Sequence, residues 1–222
     1  MWGVAELDEE YIRRMEDILA VYEKPLSERE PVVCVDEKPV VLHQDVHPPQ
    51  SMRPGQIARR DGEYQRCGTA NVFCGLQPKA GRYFPKVTAN RSSPEFADYL
   101  LEIAIRYPEA DTIHLVLDNL SSHTRKAVVQ RFGEKAGGWL WERFTVHFTP
   151  KHGSWLNQAE IGISLYSRHC LGRRRIGDRA SLRRQTQAWS RRMNRHRAPI
   201  QWNFNRKKAR TTFDYTITRS RY

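Results

Sequence analysis

The stretch VVCVD at residues 32–36 is an apolar run that ends in a carboxylate. A second stretch of the same kind, IHLVLD, occupies residues 113–118. Short apolar runs rich in β-branched residues are typical of buried strands, so Asp36 and Asp118 are each predicted to end a strand. A third acidic residue, Glu160, follows a turn that contains Pro and Gly and is predicted to lie on a helix. We therefore expect three carboxylates from distant parts of the sequence to meet at one point.

The three carboxylates are suited to bind a divalent metal. Mg²⁺ and Mn²⁺ prefer carboxylate and water oxygens to thiolate or imidazole ligands. Asp36, Asp118 and Glu160 are therefore predicted to be metal ligands at a site for phosphodiester chemistry. Taken singly, an aspartate after an apolar strand is more often a turn or cap residue. The occurrence of all three carboxylates together favours a metal site.

The order of the predicted elements indicates the fold class. Strands are predicted from apolar runs bounded by turn residues at 32–36, 39–43, 70–76, 81–87, 112–118 and 144–148. Helices are predicted at 8–24, from an N-cap at Ser93, at 123–134 and over the segment that carries Glu160. A meander of strands followed by alternating helices and strands predicts an α/β domain with a mixed sheet flanked by helices. This is the order of an RNase H-like domain.

The composition indicates a nucleic-acid partner. The chain carries a formal charge of +12 over 222 residues, with a sequence pI near 9.8, which favours association with polyphosphate through counterion release. The cations are concentrated in the segment 168–222, which contains two acidic residues. A basic helical tail is expected there, and its clustered arginines are the predicted contacts to double-stranded DNA: Arg173, Arg174, Arg175, Arg183, Arg184, Arg191 and Arg192.

Two other classes of protein are disfavoured. The four cysteines are scattered without a CxxC pair, so neither a zinc ribbon nor a disulfide framework is predicted. No apolar run approaches the roughly 20 residues of a membrane span, and no signal-peptide pattern opens the chain. A cytoplasmic protein with reduced thiols and no membrane partner is expected.

Three blocks of sequence resemble those of a known family. VDEK at 35–38, LDNLSSH at 117–123 and HFTPKHGSWLNQAE at 147–160 are similar to the signature blocks of DDE transposases of the mariner superfamily, and most similar to the bacterial insertion-sequence 630 branch. The resemblance implies metal-dependent DNA cleavage and strand transfer with two Mg²⁺ or Mn²⁺ ions. It implies that Asp36 bridges the ions, that Asp118 completes the shell of one and Glu160 that of the other. The protein is therefore expected to be bacterial and to associate with the nucleoid.

Residues beside the carboxylates are predicted to support the site. Asn119, His123, His152 and Asn157 lie within or next to the three blocks and are expected to contact DNA or to hold the metal ligands in place. Structural hydrogen bonding is an equally good account of the two histidines. Glu37 is not expected to be a ligand, because strand alternation directs its side chain to the face opposite Asp36.

Three domains are expected: an N-terminal helix and linker at 1–30, an RNase H-like catalytic domain at 31–170 and an arginine-rich helical extension at 171–222. Members of the family that the chain resembles carry helix-turn-helix modules ahead of the catalytic domain, whereas about thirty residues precede the first strand here. The chain is therefore interpreted as the catalytic half of a transposase that acts on transposon ends and target DNA. A second copy of the chain and a separate helix-turn-helix polypeptide are the candidate protein partners. Two alternatives stay open: a non-catalytic DNA-binding relic of a truncated transposase, and an RNase H-like nuclease.

Overall fold

The computed structural model describes residues 7–118 and 123–216, which form a five-stranded mixed sheet flanked by helices. The strands lie in the order β3-β2-β1-β4-β5 and are β1 Val32–Asp45, β2 Tyr64–Gln77, β3 Arg82–Thr88, β4 Ile113–Leu117 and β5 Phe144–Phe148. The α-helices are α1 Glu9–Glu23, α2 Ser93–Arg106, α3 Arg125–Phe132, α4 Glu134–Glu142, α5 Ala159–Tyr166, α6 Arg179–His196 and α7 Arg206–Phe213. The predicted α/β class, with its mixed sheet and basic helical end, is confirmed.

Strand β1 is central and longer than expected. It pairs antiparallel with β2 and parallel with β4. The segments predicted as two strands, 32–36 and 39–43, form one strand that contains Pro39. Proline donates no ladder hydrogen bond and is tolerated at strand edges. Because β4 pairs with β1 over Val32–Cys34, β2 is the one strand neighbour of Pro39 in the described part of the chain.

Two helix predictions are corrected. The helix predicted at 123–134 is two helices, because Gly133 has a φ of 83° and separates α3 from α4. The Thr124 hydroxyl accepts a hydrogen bond from the Ala127 N–H and caps α3. Helix α2 has Ser92, and not Ser93, at its N-cap position.

Both faces of the sheet are covered. Val33 and Val35 point to the face on which α2, α3 and α4 pack. Cys34 points to the opposite face, against α1. Helices α5 and α6 cover β2 and β3 on that second face, where the Trp189 ring of α6 packs on Tyr83. Asp36 therefore shares a face of β1 with Cys34, and α6 is part of the packed core.

A row of hydrogen-bonding groups joins α1 to β4 and β5. His147 Nδ1 lies 2.7 Å from a carboxylate oxygen of Asp17, and His147 Nε2 lies 3.0 Å from His114 Nδ1. His114 Nε2 in turn lies 2.9 Å from Lys24 Nζ. Two neutral imidazoles satisfy every contact, because the lysine donates to His114, His114 donates to His147, and His147 donates to the aspartate.

Among the described residues, no helix is both long and apolar enough to cross a bilayer.

Candidate active site

The parallel register of β1 and β4 aligns Asp36 with Asp118. Val32 pairs with His114 and Cys34 pairs with Val116. Continuing this one-to-one register matches Asp36 with Asp118, the residue that follows β4. Adjacent strands lie about 4.8 Å apart, so the two carboxylates occupy neighbouring positions. Because β4 is short and ends just before Asp118, the part of β1 that carries Asp36 has no strand neighbour on that side among the residues that are described.

Glu160 reaches the same place because Asn157 ties its helix to β1. The Asn157 side-chain amide donates to the Val35 carbonyl at 2.8 Å, one residue before Asp36. Its side-chain oxygen accepts from the Ala159 N–H at 3.1 Å, and its main-chain carbonyl accepts from the Glu160 N–H at 3.1 Å. Asn157 is 2% exposed, so these bonds form in the protein interior. The first turn of α5, with its exposed Glu160, is therefore held beside the aspartates.

The electrostatics of the cluster fit a divalent cation. Burial, assisted by repulsion from Asp118, Glu37 and Glu160, raises the pKa of Asp36 to about 7. The hydrogen bond that Asp36 accepts from the Glu37 N–H at 2.7 Å opposes this rise without cancelling it. Carboxylates that repel one another in a half-buried site are stabilised by a bound cation, which removes the repulsion.

One oxygen atom in the cluster lacks a hydrogen-bond donor. Asp118 Oδ1 is buried and has no aligned donor in the part of the chain that the structure describes. His123 Nδ1 lies 2.8 Å away, close enough for an ion pair but not directed as a hydrogen bond. A buried carboxylate oxygen with unused lone pairs is what a hard metal ion requires. Asp36, Asp118 and Glu160 supply the oxygen donors that Mg²⁺ and Mn²⁺ prefer, and Asp36 lies close enough to the other two to be affected by their charges. The ligand atoms that lie within 4.8 Å of one another here belong to Glu37, Asp118 and His123.

Glu37 joins this site from the other face of the sheet. Its side chain is 2% exposed and its Oε1 lies 2.6 Å from Nε2 of the fully buried His123. Burial lowers the pKa of an imidazole, but the contacts with Asp118 and Glu37 outweigh it and raise the pKa of His123 to about 9. Strand alternation does place Glu37 on the face opposite Asp36, but the His123 imidazole connects Glu37 to Asp118. The sequence contained a signal, because residue 37 continues the buried row of Val33 and Val35, and a carboxylate there needs a partner.

The remaining predicted supporting residues differ in their surroundings. His152 is exposed in the turn before α5, where its φ is 62°. Its side chain makes no hydrogen bond to the residues that the structure describes. Asn119 lies outside the described residues.

Most of the predicted DNA-contacting arginines are exposed, and one differs. Arg175 pairs with Asp45 at 2.7 Å, and its guanidinium also donates to the carbonyls of 61–63 in the loop between β1 and β2. It holds that loop instead of facing solvent, because its several donors converge on one turn of carbonyls. The exposed arginines of the predicted set are Arg173, Arg174, Arg183, Arg184, Arg191 and Arg192.

Comparison with known proteins identifies the family. A family model described as DDE superfamily endonuclease matches residues 31–183. The chain belongs to this family. No curated protein sequence matches this DDE endonuclease.

Solved structures of Mos1 transposase share the fold of this DDE endonuclease. They include the Mos1 transposase paired-end complex with left transposon end, at 16% identity over 89% of this chain and 61% of that chain, with a TM-score of 0.56. A pre-cleavage Mos1 transpososome has 17% identity over 86% of this chain and 58% of that chain, with a TM-score of 0.56. The Mos1 mariner paired end complex with Mn has 17% identity over 88% of this chain and 60% of that chain, with a TM-score of 0.52. The expected RNase H-like fold is confirmed, and the chain spans 58–61% of the length of these transposase chains.

Proposed function

We propose that this DDE endonuclease is the catalytic domain of a mariner-superfamily transposase of the bacterial insertion-sequence 630 branch. It cuts transposon ends and joins them to target DNA within the nucleoid. The observation that carries the proposal is that Asp36 lies within reach of the charges of Asp118 and Glu160 in a DDE endonuclease domain. The similarity of its fold to that of mariner Mos1 complexes with transposon-end DNA supports the choice of substrate.

Asp36, Asp118 and Glu160 would hold two Mg²⁺ or Mn²⁺ ions in the proposed reaction. When bound, the ions activate the oxygen nucleophile and stabilise the charge on the departing 3′ oxygen. The protein contributes geometry. Asn157 fixes the first turn of α5 against β1, so the backbone that carries Glu160 is in place before a metal binds.

The proposed DNA-binding surface includes the exposed side of α6. Arg183 and Arg191 line a groove of about 550 Å³ between α6, β3 and the end of α2. Lys86 and Arg106 lie on its opposite wall, and its one carboxylate, Glu102, pairs with Lys86 at 3.0 Å. Excess positive charge in a groove attracts the phosphate backbone regardless of base sequence.

Cleavage of plasmid DNA tests the proposed function. The purified chain with Mn²⁺ should nick supercoiled plasmid and join pre-nicked ends, whereas EDTA should stop both reactions. Asp36→Asn, Asp118→Asn and Glu160→Gln should each abolish the product. Asp111→Asn is the matched control, because Asp111 is exposed beyond the opposite end of β4, where it pairs with Arg29. It should cleave like the wild type.

Other outcomes distinguish the alternatives. A folded protein that binds DNA but makes no product, even when fused to a helix-turn-helix module, would identify a non-catalytic relic. Preferential cleavage of RNA–DNA hybrid would identify an RNase H-like nuclease. The transposase proposal expects weak nicking of unrelated duplexes, with specificity for transposon ends gained when the helix-turn-helix partner is supplied.

A further inference from the structure

Three polar groups, two of them buried, form a continuous row at the edge of the candidate active site. Glu37 Oε1 lies 2.6 Å from His123 Nε2, and His123 Nδ1 lies 2.8 Å from Asp118 Oδ1. His123 is fully buried, Glu37 is almost so, and the Asp118 side chain is 28% exposed. The row therefore runs from the interior on the α2 face of the sheet to the solvent-facing carboxylate.

Packing alone does not account for Glu37. A buried carboxylate destabilises the fold unless it is paired, and an apolar residue would complete the row of Val33 and Val35 without that cost. Among the described residues, His123 is the one hydrogen-bond donor to the Glu37 side chain. The imidazole is itself confined, because its ring packs on Phe96 with the ring centroids 4.4 Å apart. Glu37 and Phe96 together fix the orientation of His123.

Fixing His123 fixes Asp118. The aspartate follows the last residue of β4, so strand pairing does not hold it as it holds the residues before it. His123 Nδ1 contacts its carboxylate and lies 3.5 Å from its main-chain carbonyl oxygen. The imidazole thus restrains the side chain from the interior through Oδ1, and the partly exposed carboxylate keeps further lone pairs with which to bind a metal.

We propose that Glu37 and His123 are positioning residues that hold the Asp118 carboxylate in the orientation in which it binds the metal. This inference rests on the proposed function, since it assigns Asp118 to the metal site. Groups that orient a metal ligand commonly contribute 10-fold to 100-fold to metal affinity.

The test measures Mn²⁺ affinity by titration calorimetry and by the loss of the free-ion electron paramagnetic resonance signal, on the full chain without DNA. His123→Ala should weaken Mn²⁺ binding by about 10-fold to 100-fold, and Glu37→Gln by about 10-fold. His123→Asn should recover part of the affinity, because its amide can donate to Asp118 from the position of Nδ1. His196→Ala is the matched control and should bind Mn²⁺ like the wild type, since this histidine is exposed in the last turn of α6.

The outcomes separate this inference from the proposed function. If Asp36→Asn removes Mn²⁺ binding while folded His123→Ala and Glu37→Gln bind it like the wild type, the positioning role is wrong and the metal site stands. If the wild type binds no Mn²⁺, or Asp36→Asn binds it unchanged, both are wrong. Nitrogen coupling to bound Mn²⁺ in the pulsed resonance spectrum would make His123 a direct ligand and overturn the positioning role. Should His123→Ala fail to fold, Glu37→Gln decides, because it preserves the size of the side chain while it removes the charge that pairs with the His123 imidazole.

Discussion

Replacing Asp36 by asparagine should stabilise the metal-free protein. Burial, followed by repulsion from Asp118, Glu37 and Glu160, raises the pKa of Asp36 from its ordinary 3.8 to about 7. The folded chain therefore keeps a proton that the unfolded chain has lost, so stability falls as the pH rises from about 4 to about 7. One pH unit corresponds to about 1.4 kcal/mol, which makes the penalty at pH 8 up to about 4 kcal/mol.

Asparagine is neutral and nearly the same shape, and its side-chain oxygen can still accept the hydrogen bond from the Glu37 N–H. In EDTA at pH 8, Asp36→Asn should unfold at a higher urea concentration than the wild type, with a gain of about 2–4 kcal/mol. At pH 5 the gain should shrink by more than half, because the wild-type carboxyl is then mostly protonated in the folded state.

A second aspartate on the same strand provides the control with the opposite sign. Hydrogen bonds from Arg60 and Arg175 lower the pKa of Asp45 to about 2, so its contribution to stability is present above about pH 4 and lost as the pH falls through about 2. Asp45→Asn should therefore destabilise the protein at pH 8. If Asp36→Asn and Asp45→Asn destabilise the protein equally at pH 8 in EDTA, the claim that burial and neighbouring carboxylates raise the pKa of Asp36 is refuted.

The remaining predictions concern the packing, the pH response and the basic surface. Burial, then the charge of Lys24, lowers the pKa of His114, so its contribution to stability is complete above about pH 6.5 and is lost as the pH falls below it. In urea titrations, His114→Gln should therefore lose less stability than the wild type between pH 7 and pH 5. Gly137→Ala should lower the stability by about 1–3 kcal/mol, because its Cβ would lie 2.7 Å from the α3 backbone, whereas Gly138→Ala, which meets one flexible arginine, should raise the thermal midpoint slightly. Combined Arg183→Gln and Arg191→Gln should reduce the slope of log affinity against log salt for duplex DNA by about 2, measured by fluorescence anisotropy, and an unchanged slope would remove the α6 groove from the DNA surface.

The pattern of apolar residues predicted the type of element correctly where the whole segment lies in one environment, such as a buried strand. The apolar runs at 32–36 and 113–118 became β1 and β4, because both faces of these strands are buried. Boundaries were predicted less well where tertiary pairing decides. Strand β1 continues past Pro39 because β2 supplies a long partner, and sequence alone does not reveal that partner.

The candidate site could be predicted only in part, for a related reason. Asp36 and Asp118 follow from strand ends and register, which are regular. Glu37 was set aside because alternation gives the direction of a side chain but not what it meets across the sheet, and its partner His123 comes from a segment 86 residues away. Likewise, the arginine pattern suggested a DNA contact at Arg175, whose partner Asp45 lies 130 residues earlier in the sequence.

The bond from Asn157 to the Val35 carbonyl also has a consequence for synthesis of the protein. It joins residues 122 positions apart, so the third carboxylate cannot take its place until the ribosome has released the chain through α5. A nascent chain that ends before this helix contains both aspartates but no complete set of acidic groups. The proposed metal site is therefore completed only after all five strands of the sheet have been synthesised, because β5 ends before α5 begins.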